Sequence, residues 1–172
     1  MPMSTARLNN LLGALVLSLH DDLRRDIEQR LGMQGAAGAA IVTIGNSPDR
    51  SVEWLSHALL LTHSGTVRLV DKLAADGLVE RRDASHDARA VSLRLTASGE
   101  RRMRAILEAR RAVLERALDA LGTADLKKLC DLVERMLGAI TEVPRGDAMC
   151  RLCEESVCPQ DRCPVTRQCA ES

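Results

Sequence analysis

Five of the six cysteines fall between Cys150 and Cys169. The first four, Cys150, Cys153, Cys158 and Cys163, follow a C-x2-C-x4-C-x4-C spacing, that of a zinc knuckle with cysteine where the histidine would be. Four thiolates this close in sequence can surround one ion or cluster without a large fold around them. Pro159 and Pro164 each follow a cysteine directly, a feature of iron–sulfur ligation, and no glycine inside the cluster makes the knuckle's tight turn. The expected cofactor is therefore zinc or an iron–sulfur cluster, with the choice open and Cys169 in reserve as a substitute ligand. Thiol–disulfide switching and an inert tail are the other readings of the same residues.

A second constellation is cationic. Arg68 and Lys72 lie one helical turn apart and share a face, and Ser64, Thr66 and His63 can join them in meeting a ligand. Arg81, Arg82, His86, Asp87 and Arg89 follow within the next two dozen residues. Placed in a DNA major groove, Ser64, Thr66 and Arg68 could meet bases or phosphates, and Lys72 a phosphate. Arg89 suits a narrow minor groove, where the negative potential draws a flat cation, with Asp87 bracing it. A plain solvated surface explains these charges equally well on the residues alone. Likewise, Asp87 and Arg89 can be a local ion pair worth about 0–1 kcal/mol. There is no phosphate-binding glycine loop, no paired-acid pocket and no Ser/His/Asp set, so an enzyme is not expected. Cys130, on an apolar helix face, reads as a small buried hydrophobe. Trp54 reads as packing, and His20 and His57 as surface or satisfied-core residues.

These side chains need a frame. Leu8, Leu11, Leu12, Leu15, Leu19, Leu23, Ile27 and Leu31 step by threes and fours, which makes one long amphipathic helix ended by Gly32. The small apolar run Gly35 to Gly45 reads as a short buried helix that neighbours can approach closely. Asn46 to Arg50 is a turn around Pro48. Ser51 caps a short helix, and Thr62 or Ser64 caps the next, which Gly77 ends. This is a helix-turn-helix with a basic second helix. A strand at Leu78 to Arg82, a polar loop at Asp83 to Arg89 and a strand through Val91, Leu93 and Leu95 form a β-hairpin wing. Thr96 caps a long helix ended by Gly122, Thr123 caps another, and Pro144 and Gly146 close it.

The 172 residues suit one domain with an appendage. With neither Phe nor Tyr and a single Trp, the core must be built from Leu, Val, Ile, Ala and Met, which favours packed helices. Formal net charge is zero, so any nucleic-acid footprint is local. No apolar run approaches the roughly 20 residues of a membrane span, and no signal peptide is evident, so the expected location is cytoplasmic. Thiols there are mostly reduced, which favours metal or redox chemistry over structural disulfides.

The segment from Leu69 to Gly99 resembles the MarR family of winged-helix bacterial regulators. The resemblance rests on Gly77-Leu78-Val79, Arg81, Asp87-Ala88-Arg89 and Leu95-Thr96-Ala97-Ser98-Gly99, and in element order it extends from Leu8 to Thr141. The usual aromatic before Pro48 is missing, the first helix holds no cysteine for single-thiol peroxide sensing, and the cysteine tail is not general to the family. The resemblance implies a mainly α fold: a winged helix-turn-helix with a β-hairpin wing and long N- and C-terminal dimerisation helices. The division is 1–34 for the first dimerisation helix, 35–99 for the DNA-binding domain, 100–143 for the C-terminal dimerisation helices and 144–172 for the tail. It further implies a homodimeric repressor on a pseudo-palindromic operator in double-stranded DNA, with a small-molecule inducer shifting the reading heads and no membrane role. Metal, iron–sulfur status or redox would then enter through the tail. A winged-helix protein-interaction module and a cluster-carrying redox protein without specific DNA binding are the alternatives.

Overall fold

The computed structural model describes residues 5–84, 87–141, 146–158 and 161–170, with side chains at all of these except 83–91 and 168–170. Helix α1 (Thr5–Leu31) is followed by α2 (Ala37–Asn46), the short strand β1 (Arg50–Ser51), α3 (Val52–Leu59) and α4 (His63–Ala75). Strands β2 (Val79–Ala84) and β3 (Asp87–Leu95) come next, then α5 (Ala97–Leu118), α6 (Thr123–Ile140), α7 (Gly146–Cys150) and α8 (Pro164–Ala170). The expected mainly α winged helix is what the chain forms.

Helix α2 is the centre of the core. Ile41, Val42, Ile44 and Ala40 are almost wholly shielded from solvent, because α3, α5 and β3 enclose the helix. Its small residues make that enclosure possible. A Cβ on Gly38 would press on Ile27 of α1, and one on Gly45 would collide with Met103 of α5. Leu55, Val70, Leu73, Leu93 and Ile106 complete the core from α3, α4, β3 and α5.

The sheet has the order β1-β3-β2 and is antiparallel throughout. Val79 pairs with Leu95 and Arg82 with Ser92, which places Val79, Leu93 and Leu95 on the inner face. The hairpin differs from expectation in two ways. Arg50, assigned to a turn, begins a third strand against Leu93. The loop expected over Asp83 to Arg89 is mostly strand, since β2 runs to Ala84 and β3 starts at Asp87, which pairs with Ala84. The polar sequence hid the strand, because two-sided polar strands carry no apolar alternation.

Two other expectations are corrected. Gly122, not Thr123, is the residue before α6, and no side chain caps that helix. Cys130 is exposed in the single chain and faces the Glu134 carboxylate, which raises its thiol pKa first by its charge. No residue of α6 is buried within one chain. Leu132, Val133, Met136 and Ile140 on α6 are exposed, as are Leu11, Leu15, Val16 and Leu17 on α1. The closing role given to Pro144 lies outside the described residues.

Candidate nucleic-acid interface and cysteine site

The helix-turn-helix is held by caps at both ends of its second helix. The Thr62 hydroxyl accepts the Gly65 N–H at 3.2 Å, so Thr62 rather than Ser64 starts α4. Leu60 takes a left-handed backbone, φ 55°, to make the turn between α3 and α4. At the far end the Leu78 N–H reaches the Leu73 carbonyl and the Gly77 N–H the Ala74 carbonyl, each at 2.9 Å. This double bond pattern needs a left-handed residue, supplied by Gly77 at φ 67°.

Thr96 then locks the wing to the helix. Its hydroxyl accepts the Gly99 N–H at 3.1 Å, capping α5, and donates to the Gly77 carbonyl at 2.7 Å. Its own N–H donates to the Leu78 carbonyl at 3.1 Å. A Cβ on Gly99 would run into that same Leu78 carbonyl. The Leu95-Thr96-x-x-Gly99 motif is thus a joint between α4, β3 and α5.

The joint presents His63, Ser64, Arg68 and Lys72 as exposed residues of α4. Ser64, Arg68 and Lys72 step by four and share one face. Thr66 does not belong with them. It is fully buried, and its hydroxyl donates to the Thr62 carbonyl at 3.1 Å, so it is a packing residue and cannot reach a base. Back-bonding to the carbonyl one turn earlier satisfies the hydroxyl, so the threonine can be buried. Arg81 and Arg82 lie on β2. Arg81 is 2.7 Å from Asp71 of α4, and Arg82 donates to Glu80. The side chains of His86, Asp87 and Arg89 lie outside the described residues. Two contacts carried no sequence signal. Arg94 forms a fork-like pair with Asp49 across β3 and the turn before β1, holding the Asp49 carboxyl below its usual range. Arg50 stacks over Trp54 at 4.9 Å from the ring centre, while Trp54 packs on the core.

The tail folds back on the domain instead of hanging free. Ala148, Cys163 and Val165 are buried, and Leu152 packs into the main core. The Cys153 N–H closes a tight turn onto the Cys150 carbonyl at 2.8 Å. Cys150 donates its thiol hydrogen to the Cys153 sulfur. That bond, helped by the Arg110 charge and opposed by burial, holds the Cys153 thiol down at about 6 and pushes Cys150 far up. Cys158 and Cys163 are a second pair of interacting free thiols. Burial raises Cys158; burial also works on Cys163, but N–H groups of Thr166 and Val165 and the Thr166 hydroxyl outweigh it and lower that thiol. The pairs are electrostatic neighbours, Cys150 with Cys163 and Cys153 with Cys158. They are not yet a single ligand set. Among the described residues no group of three His, Cys, Asp or Glu side chains stands ready to hold an ion. The Cys169 side chain lies outside the described residues.

Residues 31–90 match the model of the MarR family. Over those residues the chain is similar to the MarR family. The transcriptional repressor MprA of Escherichia coli K12 is 25% identical over 138 residues, which is 77% of this chain and 78% of that protein. A MarR family protein from Bacillus stearothermophilus has the same fold, with a TM-score of 0.72 at 24% identity over 80% of this chain and 95% of its own. Streptococcus pneumoniae FabT, solved in complex with DNA, shares the fold at a TM-score of 0.67 and 19% identity, covering 77% of this chain and 94% of FabT. The matched MarR segment ends before the cysteine tail. Among the described residues no helix is long and apolar enough to cross a membrane.

Proposed function

We propose that this chain is a MarR-type transcriptional regulator that binds double-stranded DNA as a homodimer in the cytoplasm and represses transcription from a pseudo-palindromic operator. The observation that carries the reading is the exposed Ser64–Arg68–Lys72 face of α4, a doubly capped helix anchored in the core by Thr66, Val70 and Leu73. A rigid helix with cations on its outer face fits the major groove, and Arg81 and Arg82 stand close by for phosphates. Solved relatives in complex with DNA support it by fold. The uncovered apolar residues of α1 and α6 support a two-fold dimer, since an isologous contact hides both stripes at once. Such a dimer sets two reading helices about one DNA turn, roughly 34 Å, apart.

The inducer has a candidate place. A cavity of about 310 Å³ lies between α1, α2 and the tail, walled by Leu23, Ile27, Met33 and Leu152 with Arg24 and Arg151 at its rim. Arg24 is paired with Glu28, which also lines the cavity, so the apolar walls suit a small, largely apolar molecule. The tail is the second input, through zinc or an iron–sulfur cluster held by Cys150, Cys153, Cys158 and Cys163. Supporting this are the C-x2-C-x4-C-x4-C spacing and the two neighbouring thiol pairs. An ion would have to draw the pairs together, and each ligating thiol would release its proton.

Selection from a library of random duplexes tests the DNA reading. The dimer is expected to enrich one pseudo-palindrome with half-site centres one turn apart. No enrichment, with the protein folded and dimeric, favours a protein-interaction module or a redox protein.

A further inference from the structure

The first two tail cysteines sit in a turn that the domain holds in place. The Cys153 N–H closes onto the Cys150 carbonyl at 2.8 Å. A hydrogen-bonded turn of this kind keeps its first and fourth Cα atoms within about 7 Å, and a disulfide bridges Cα atoms about 4.4–6.8 Å apart. The side chains meet as well, since the Cys150 thiol donates to the Cys153 sulfur. Helix α2 clasps the same turn. The Thr43 hydroxyl donates to the Arg151 carbonyl at 3.4 Å, and the Asn46 side-chain amide donates to the Cys153 carbonyl at 3.0 Å. Leu152, between those two carbonyls, packs against the core. Both thiols are free and only partly buried, so a small reagent can reach them. Cys158 and Cys163 share no such turn. The Cys158 N–H goes to the Glu155 carbonyl at 3.3 Å, and the Cys163 carbonyl accepts from the Arg167 N–H at 3.0 Å.

We propose that Cys150 and Cys153, held in bridging geometry by Thr43 and Asn46 of α2, are a dithiol–disulfide site that exchanges with low-molecular-weight disulfides. Only these two thiols are needed, so neither a bound metal nor the DNA reading is presupposed. Exchange runs in two steps. Cys153 releases its proton to solvent, and its sulfur attacks one sulfur of the small disulfide. A bond forms to Cys153, the S–S bond of the reagent breaks, and the first small thiolate leaves with the bonding pair. Cys150 then passes its proton to that thiolate and attacks the Cys153 sulfur. The Cys150–Cys153 bond forms, the mixed disulfide breaks, and the second small thiolate leaves and regains from solvent the proton that Cys153 released. The protein pair is oxidised by two electrons and the reagent is reduced to two thiols. The turn matters most in the second step. A resolving thiol already fixed beside its target reacts as an intramolecular group, with little freedom left to lose.

The test uses the full-length reduced protein, purified anaerobically, with its zinc and iron measured. It is treated with oxidised glutathione at neutral pH, the remaining thiols are capped with iodoacetamide, and unreduced peptides are mapped by mass spectrometry over time. The expected product is a Cys150–Cys153 bridge, with both thiols lost to capping and both recovered by dithiothreitol. Cys150→Ser should stop one step earlier, with a glutathionyl group held on Cys153. Asn46→Ala should still be oxidised but should accumulate that mixed disulfide before closing, because its resolving thiol is less well placed. Thr43→Val should do the same if Asn46→Ala folds poorly. A wild type that ends as the mixed disulfide, or that bridges Cys153 to Cys158 or Cys163, overturns the proposal. Folded α2 variants that close as fast as wild type overturn it too. So does a wild type whose Cys150 and Cys153 stay unreactive because they hold zinc or iron, a result that leaves the metal reading standing.

Discussion

At the scale of single residues, the interface depends on which side chains a helix turns outward. Arg68 is exposed on α4, and Arg68→Ala should relax base preference at one position in each half-site by about 1–3 kcal/mol, measured by repeating the duplex selection. Thr66→Val should leave that preference unchanged, because Thr66 faces the core. Gly99→Ala should lower stability by about 1–3 kcal/mol, seen as a lower thermal midpoint, since the added methyl meets the Leu78 carbonyl rather than a movable side chain. In metal-stripped protein, iodoacetamide should label Cys153 before Cys150 and Cys158. Its thiolate is held near 6, so its labelling rate should rise through pH 6 and level off by neutrality, whereas theirs should still be climbing. Peptide mass spectrometry reads the order of labelling.

At the scale of elements, composition and spacing carried far. The small residues of α2 announced a buried helix, and Thr62, Gly77 and Thr96 marked both ends of α4 and the start of α5, whereas α5 stops at Leu118, short of the Gly122 expected to end it. Thr66 was misread because periodicity assigns a threonine by its polarity, while back-bonding to Thr62 satisfies its hydroxyl inside the fold. The hairpin was read too short because residues 83 to 90 have no apolar alternation. The docking of the tail was not legible at all. Its polar anchors pair Thr43 and Asn46 with backbone carbonyls more than a hundred residues away, and a carbonyl leaves no mark on residue type. The stripes of α1 and α6 were legible, and the single chain leaves them uncovered. Leu15→Asp or Ile140→Asp places a carboxylate on one of these stripes. Each should shift the protein toward monomer in sedimentation velocity without loss of helical signal, because an unpaired charge cannot be hidden in an apolar contact. A folded variant that sediments as a dimer would remove that helix from the interface.

At the scale of the whole molecule, a chain with zero formal net charge is read here as a DNA-binding dimer. That requires its cations to be concentrated where the duplex lies, on α4 and β2, rather than spread over the surface. The local arrangement has a direct thermodynamic signature. Each phosphate neutralised by a lysine or arginine releases condensed counterions, so binding weakens with salt in proportion to the number of such contacts. The decisive measurement is the affinity of the wild-type dimer for its selected duplex across a series of salt concentrations, beside Lys72→Ala. The account predicts a steep linear fall of log affinity with log salt, and a slope shallower by about two in the variant, one contact from each protomer. A slope near zero, or an identical slope in Lys72→Ala, would contradict the claim that α4 of each protomer is the surface that meets DNA.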